Sequence, residues 1–387
     1  MSEQTTIFKN FHVAQLAEQI RLTVLTNQTL YIEGDPGAGK TQIMYQIADE
    51  MGYACVCFML SEMMPEDLGG IITADVANSV AKRLCPDIVA RLWAAHTETD
   101  IIDEKTGEVT NPEARRPVLA FADEINNATA MMLSTCFKLL HEGVAGGYQS
   151  PPGTVFMSAG NDPATSNVAQ DLPAPLYNRM VTVKFAGPSF DEFEQYGMSN
   201  QFHPAVLGFL RRNPDHLSKE ADFTNGQPNP TPRSWEAVSD YLHVIDKLKE
   251  QGQEITSLSR MFGIAGRVGE RSAKVMEASL KYADKLVPIK EVLADPGNVY
   301  APDDFIPAYM QCLAMAAQVD EVDEVERCII YVRRLPKEVM SVFVTTVLSR
   351  PDSDDFIDAF DIDTDVEGKG GFAARSNLGA ALNIQQS

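Results

Sequence analysis

Eight consecutive residues, Gly34-Asp35-Pro36-Gly37-Ala38-Gly39-Lys40-Thr41, fill the pattern G-x-x-x-x-G-K-[ST]. Few stretches this short restrict a fold so much, because the pattern works only between a strand and a helix. Both are expected here. The apolar stretch Thr29-Leu30-Tyr31-Ile32-Glu33 precedes it, and Gln42 to Met51 follows it with Ile43, Met44, Ile47 and Ala48 at helical spacing. A strand, a glycine-rich loop and a helix start make an anion cradle. Backbone N–H groups converge on phosphate oxygens, and the helix N-terminus adds favourable dipole charge. Lys40 is expected to reach the β- and γ-phosphates, and the Thr41 hydroxyl to ligate Mg²⁺.

A second apolar run, Pro117 to Ala122, ends in Asp123-Glu124. Such a run reads as a buried parallel strand whose tip meets the ligand. Asp123 is expected to hold the metal, directly or through water, and Glu124 to orient and deprotonate an attacking water. Without the upstream loop, the same run would serve equally as the lead into a helix. Asn126 to Thr129 start a helix over Ala130 to Glu142, with Met131, Met132, Thr135, Leu139 and Leu140 facing inward. A third strand, Gly153 to Ala159, ends at Gly160-Asn161-Asp162-Pro163. The Asn161 amide at that tip is placed to touch both a γ-phosphate and the water. In isolation the plainer reading is a turn before Pro163. Two insertions interrupt the pattern. Val144 to Gly153 reads as a short hairpin with one exposed aromatic, Tyr148. Glu66 to Thr73 reads as an inserted loop ahead of a helix holding Ile88, Leu92 and Trp93.

Composition narrows the choice of partner. The 387 residues allow two or three domains, and 44% hydrophobic content supports a real core. A net charge of −22 argues against a surface coated for nucleic acid. The longest uncharged apolar run, Ala308 to Val319, is too short for a membrane span and reads as a core helix. Met1 to Thr6 lack a basic-plus-apolar leader pattern. Cys55 and Cys57 share one face of a strand and no second Cys/His pair stands at zinc spacing, so buried thiols in a reducing cytoplasm are expected.

Taken in order, these motifs resemble the AAA+ ATPases, and more narrowly the MoxR/CbbQ-like group, often placed with dynein-related, midasin-type modules. The resemblance spans roughly residues 8 to 280. Gly34 to Thr41 are similar to Walker A, and Val118 to Glu124 to Walker B. Asn161 resembles sensor 1. Arg179, in Asn178-Arg179-Met180, is similar to the arginine finger, and Arg233, in Pro232-Arg233-Ser234-Trp235, to sensor 2. The family often has Asp and Phe around its finger; here the arginine charge is kept and its neighbours differ. By their residues alone, Arg179 is a surface arginine at a helix end and Arg233 a charge beside a Pro- and Asn-rich loop. The stretch near Asp67-Leu68-Gly69 resembles the family's helix-2 insert, and the hairpin at 144–153 its pre-sensor-1 insert.

The resemblance implies an α/β fold: a P-loop αβα core with a parallel sheet over 1–187, a helical lid over 188–285 and a C-terminal helical extension over 286–350. Within these, helices are expected over Ser234 to Leu248 and Ser257 to Met276. Tyr309, Cys312, Leu313, Ala316, Ile330, Val332, Leu335 and Val342 are core candidates. The acidic stretch 351–387 reads as a solvated tail. Its Asp361-x-Asp363-x-Asp365 lacks the glycine and closing Glu of a calcium loop. A further acidic insert covers Asp100 to Glu108. The implied activity is ATP hydrolysis with Mg²⁺ by a homo-oligomeric ring, expected to be hexameric, that remodels a protein partner. A von Willebrand factor A-domain protein is the kind of partner the resemblance suggests. Two rivals stand beside it: a nucleic-acid-translocating motor and a nucleotide-dependent scaffold. Against the first, the 144–153 hairpin has no Lys or Arg, and Lys82-Arg83 is the only obvious basic pair nearby. Against the second, Glu124 is intact.

Overall fold

Alternation along single strands builds the core. The computed structural model describes residues 11–98, 115–163, 166, 169–218, 228–283, 286–350, 356 and 360. The 100–108 insert and, apart from Phe356 and Phe360, the 351–387 tail lie outside the described residues. Helix α1 (Val13–Thr26) leads into β1 (Leu30–Gly34), and the glycine-rich loop into α2 (Lys40–Glu50). Then come β2 (Ala54–Met59), α3 (Pro65–Gly69), a hairpin of β3 (Ile72–Asp75) and β4 (Val80–Arg83), and α4 (Asp87–His96). They are followed by β5 (Val118–Asp123), α5 (Ala130–Glu142), the short β6 (Val144–Ala145) and β7 (Tyr148–Gln149), β8 (Val155–Gly160), α6 (Ala174–Tyr177) and β9 (Val181–Phe185).

Five of these strands form one parallel sheet in the order β2-β5-β8-β1-β9. Successive side chains of a strand face opposite ways, so a strand covered on both sides must be apolar throughout. β5 meets that demand. Val118, Ala120 and Ala122 pack with α4 and α5 on one side, while Leu119 and Phe121 pack with α1 and α2 on the other. The same division places Leu30 and Ile32 of β1 against α1 and α2, with Tyr31 on the α5 side. The expected α/β class, a three-layer αβα core with a parallel sheet, is what the chain adopts. Ala122 of β5 pairs with Ser158 of β8, and Glu33 of β1 pairs with Gly160, so the carboxyl ends of three strands share one edge.

The chain divides into two compact units. One takes in the described residues of Met1–Glu192 and Ser218–Ser234, and the other those of Phe193–Leu217 and Trp235–Ser387. The second unit is helical: most of α7 (Phe190–Ser199), α8 (Pro204–Arg212), α9 (Pro232–Glu250) from Trp235 on, α10 (Ser257–Ala283), α11 (Ile289–Ala294), α12 (Phe305–Ala316), α13 (Val322–Val332) and α14 (Met340–Leu348). Trp235, Tyr309, Tyr331 and Phe343 fill its interior. The buried Arg350 guanidinium donates to the Ala316 and Val319 carbonyls at the end of α12.

The structure departs from several of these expectations. Met131 is 67% exposed, because the inward stripe of α5 is Met132, Leu133, Cys136, Leu139 and Leu140, one residue out of phase with Met131. Ile330 is likewise exposed on α13, whereas the other seven core candidates of the second unit are buried. α10 is interrupted at Gly269, whose φ of 78° is not helical. The inserted stretch after Glu66 is no mere loop: α3 and the β3–β4 hairpin occupy it. No helix among the described residues is long and apolar enough to cross a membrane.

Candidate functional site

The loop from Gly34 to Thr41 wraps the end of β1 and enters α2 at Lys40. Gly37 carries a φ of 75°, and a Cβ there would come within 3.0 Å of Thr231 Oγ1, so a side chain at that turn would be both strained and crowded. Lys40 is buried inside this loop. Its Nζ donates to the carbonyls of Gly34 (2.6 Å) and Asp35 (3.0 Å) and to Asn161 Oδ1 (3.2 Å). Burial lowers the Lys40 ammonium from 10.5 to about 8, against the opposing pull of Asp123, Asp35 and Glu124.

One residue on, the Thr41 hydroxyl donates to Asp123 Oδ2 at 2.6 Å, across 82 positions of sequence. Asp123 is buried at the tip of β5. Glu124 follows with a φ of 53°, a left-handed conformation rare for a side-chain-bearing residue. Strain of this kind concentrates where geometry serves function. Glu124 Oε2 accepts from Ser61 Oγ and from Asn127 Nδ2, both at 3.2 Å. Gly34 to Thr41, Asp123, Glu124 and Asn161 thus gather at one sheet edge, where an open parallel α/β sheet binds ligands.

The two arginines are placed differently. Arg233 lies at the start of α9, beside the loop. Its backbone N–H donates to the Gly37 carbonyl (3.4 Å), and its side-chain charge is felt at Lys40. Thr231 and Ser234 cap that helix reciprocally: Ser234 N–H donates to Thr231 Oγ1, and Thr231 N–H to Ser234 Oγ. Arg179 is exposed just after α6, with its guanidinium 4.9 Å above the Phe137 ring of α5.

Some participants were not foreseen from the sequence. Ser61 and Asn127 hold Glu124, and Asn126 meets Asn161; polar residues flanking an acid pair are too common to be singled out in advance. Glu33, one residue before the loop, is buried and pairs with Lys184 Nζ of β9 at 2.7 Å while accepting from the Tyr177 hydroxyl at 3.2 Å. Burial pushes Cys55 and Cys57 up to about 12 and about 11, so these thiols are protonated and inert at neutral pH.

No protein-family model matches the sequence, and no curated protein matches it. Among solved structures the chain is similar to a candidate ATPase from Cytophaga hutchinsonii (13% identity, 88% of this chain and 83% of that one, TM-score 0.31). It is also similar to a RuvB mutant from Thermotoga maritima (12% identity, 74% and 76%, TM-score 0.37) and to NtrX from Brucella abortus (13% identity, 65% and 54%, TM-score 0.37). At these levels of likeness, the residues of the site and not the neighbours decide what the chain does.

Proposed function

We propose that the chain is an ATP-hydrolysing motor of the AAA+ kind, nearest to MoxR-like proteins, that works as a ring and acts on a protein partner. The observation that carries this reading is the joint placement of Lys40, Thr41, Asp123 and Asn161. A buried cation is bonded to a site amide, and beside it a hydroxyl is bonded to a carboxylate. Lys40 now spends its protons on two loop carbonyls, which a phosphate would replace as acceptors. Thr41 Oγ1 and Asp123 Oδ2 are hard oxygen donors, the kind that suits Mg²⁺, which otherwise keeps waters and substrate phosphates. When bound, that ion would offset charge on the phosphate oxygens.

In this reading a water attacks the γ-phosphorus, the bond to the β-phosphate oxygen breaks, and the water's proton passes to Glu124. Lys40 and the loop N–H groups hold the phosphates, Asn161 lines the same space, and Arg233 carries phosphate loss into α9. Arg179 would serve a neighbouring subunit of the ring. Residues 188–285 would act as the lid, 286–350 as a helical extension and 351–387 as an acidic tail, of which Phe356 is buried with the Arg350 guanidinium 5.2 Å above its ring.

A protein partner suits the surface better than nucleic acid. Lys82 is paired with Asp75 at 2.5 Å, and Arg83 Nη1 donates to the Gly69 carbonyl at 2.7 Å, so the basic pair serves its own hairpin. The same hairpin and its flanks expose Ile71, Ile72, Val76, Val80 and Leu84. Apolar side chains of this kind match a polypeptide and not a phosphate backbone. A von Willebrand factor A-domain protein is the candidate class, from the family resemblance.

The test is a pair of variants. Lys40→Ala should abolish nucleotide binding, while Glu124→Gln should bind ATP and fail to hydrolyse it. Turnover by Glu124→Gln at the parent rate would overturn the assignment of β5. A tagged Glu124→Gln chain held with ATP should retain the partner that the parent releases.

A further inference from the structure

Asn126 is 1% exposed, and both ends of its side-chain amide meet the backbone of a single residue, Asn161. Nδ2 donates to the Asn161 carbonyl at 2.6 Å, and the Asn161 N–H donates to Oδ1 at 3.0 Å. Bonds of opposite sense leave only one orientation of the amide that satisfies both. Asn126 is itself held. It lies in the tight turn Ile125–Asn127, directly after Asp123-Glu124, and its carbonyl accepts from Gln170 N–H at 3.0 Å. The space of the clamp is shared with residue 160: a Cβ on Gly160 would fall 2.5 Å from Asn126 Oδ1. On its other side, Asn161 Oδ1 accepts from Lys40 Nζ. A chain of contacts therefore runs from the turn after the acid pair, through the clamped backbone of Asn161, to the buried ammonium.

We infer that Asn126 is a positioning residue for hydrolysis: it fixes the backbone of Asn161 on both sides of its Cα and so aims the Asn161 amide at Lys40 and the terminal phosphate. This rests on the ATPase reading above. Asn126 touches no phosphate in that reading and acts through Asn161 alone. A buried asparagine with a purely structural task needs its polar atoms satisfied by any partners. Here both serve the backbone of the one residue that carries the site amide. Misplacement by about 1 Å of a positioned group costs on the order of 100-fold in rate, so loss of the clamp should be felt in turnover far more than in binding.

The experiment uses the full chain with Asn126→Ala, Asn126→Asp, Asn161→Ala and the Asn126→Ala/Asn161→Ala pair. Asn126→Ala should lower kcat by about 10- to 100-fold and leave the Kd for ATP within about threefold of the parent. The double variant should be no slower than Asn161→Ala alone, because one residue acts through the other. Asn126→Asp is nearly isosteric and supplies a distinct signature. Its ionised form has no proton for the Asn161 carbonyl, while its protonated form restores both bonds. Its activity relative to the parent should therefore rise as pH falls, and that of Asn126→Ala should not. Parental kcat in Asn126→Ala, an additive double variant, or an Asn126→Asp profile parallel to the parent would overturn the inference. Loss of the folded chain in both Asn126 variants would do so too, marking the residue as structural. A parent chain that does not hydrolyse ATP, or Asn161→Ala at the parent rate, would instead overturn the ATPase reading or Asn161's place in it.

Discussion

The Lys40 ammonium donates to the Asn161 side-chain oxygen across 3.2 Å, joining the loop after β1 to the tip of β8. The pair ties phosphate binding to a titration. Burial lowers Lys40 to about 8, so in the nucleotide-free chain it carries its proton below that value and loses it above. The affinity for ATP should weaken as pH rises through about 8. The stability of the nucleotide-free chain should move the other way. The folded state binds fewer protons than the unfolded one between about 8 and 10.5, so stability rises with pH across that window, by about 3 kcal/mol at most. Titrating Kd from about pH 7 to about pH 9.5, with Lys40→Arg as a control that stays charged, checks the first part. A flat profile in the parent contradicts it.

Gly160 should not tolerate a methyl group. A Cβ there would stand 2.5 Å from both Asn126 Oδ1 and the Tyr31 hydroxyl. Neither neighbour is the loose end of a mobile chain: Asn126 is clamped to Asn161, and Tyr31 is fully buried on β1. Gly160→Ala should cost about 1–3 kcal/mol and shift thermal unfolding down by several degrees. An unchanged melting curve would show that the Asn126 clamp is slack.

Glu33 predicts a graded response. Its carboxylate is buried, while its partner Lys184 is about half exposed and stays solvated if the pair is broken. Glu33→Gln retains an oxygen for the Tyr177 hydroxyl and should cost about 1 kcal/mol. Glu33→Ala loses that acceptor as well and leaves a void, so its cost should be roughly 2–3 kcal/mol. Denaturant unfolding of the two variants measures the order. Equal losses would mean that the Tyr177 bond contributes nothing.

Legibility in the sequence followed how local the cause was. The glycine-rich loop was readable because eight adjacent residues contain their own geometry, and β5 because both its faces must be apolar. The phase of α5 was not. Met131 and Met132 are equally apolar, and only the layer above β5 decides that Met132 turns inward. Gly269 reads as an ordinary helix glycine until its φ is seen. The β3–β4 hairpin was hidden because its strands are exposed on both faces and carry no alternation. The Asn126–Asn161 clamp and the Glu33–Lys184 pair join residues 35 and 151 positions apart, and nothing in either segment alone announces them.

Arg179 provides the sharpest test of the proposed ring. It is exposed, and its guanidinium rests 4.9 Å above the Phe137 ring, whereas the arginine whose charge is felt at Lys40 is Arg233. An arginine so placed is free to serve a neighbouring subunit. A finger of this kind contributes about 10³ to 10⁵ in rate through charge on the transferring phosphoryl, and little to ground-state binding. Arg179→Ala should therefore bind ATP nearly as the parent does and hydrolyse it at least about 10³-fold more slowly. Specific activity of the parent should rise with protein concentration as rings assemble. Mixing Arg179→Ala with Lys40→Ala should restore part of the turnover. One subunit then offers an intact cradle and its neighbour an intact finger. Concentration-independent activity, together with no rescue in rings verified to be mixed, would place Arg179 outside the mechanism or within its own subunit's site.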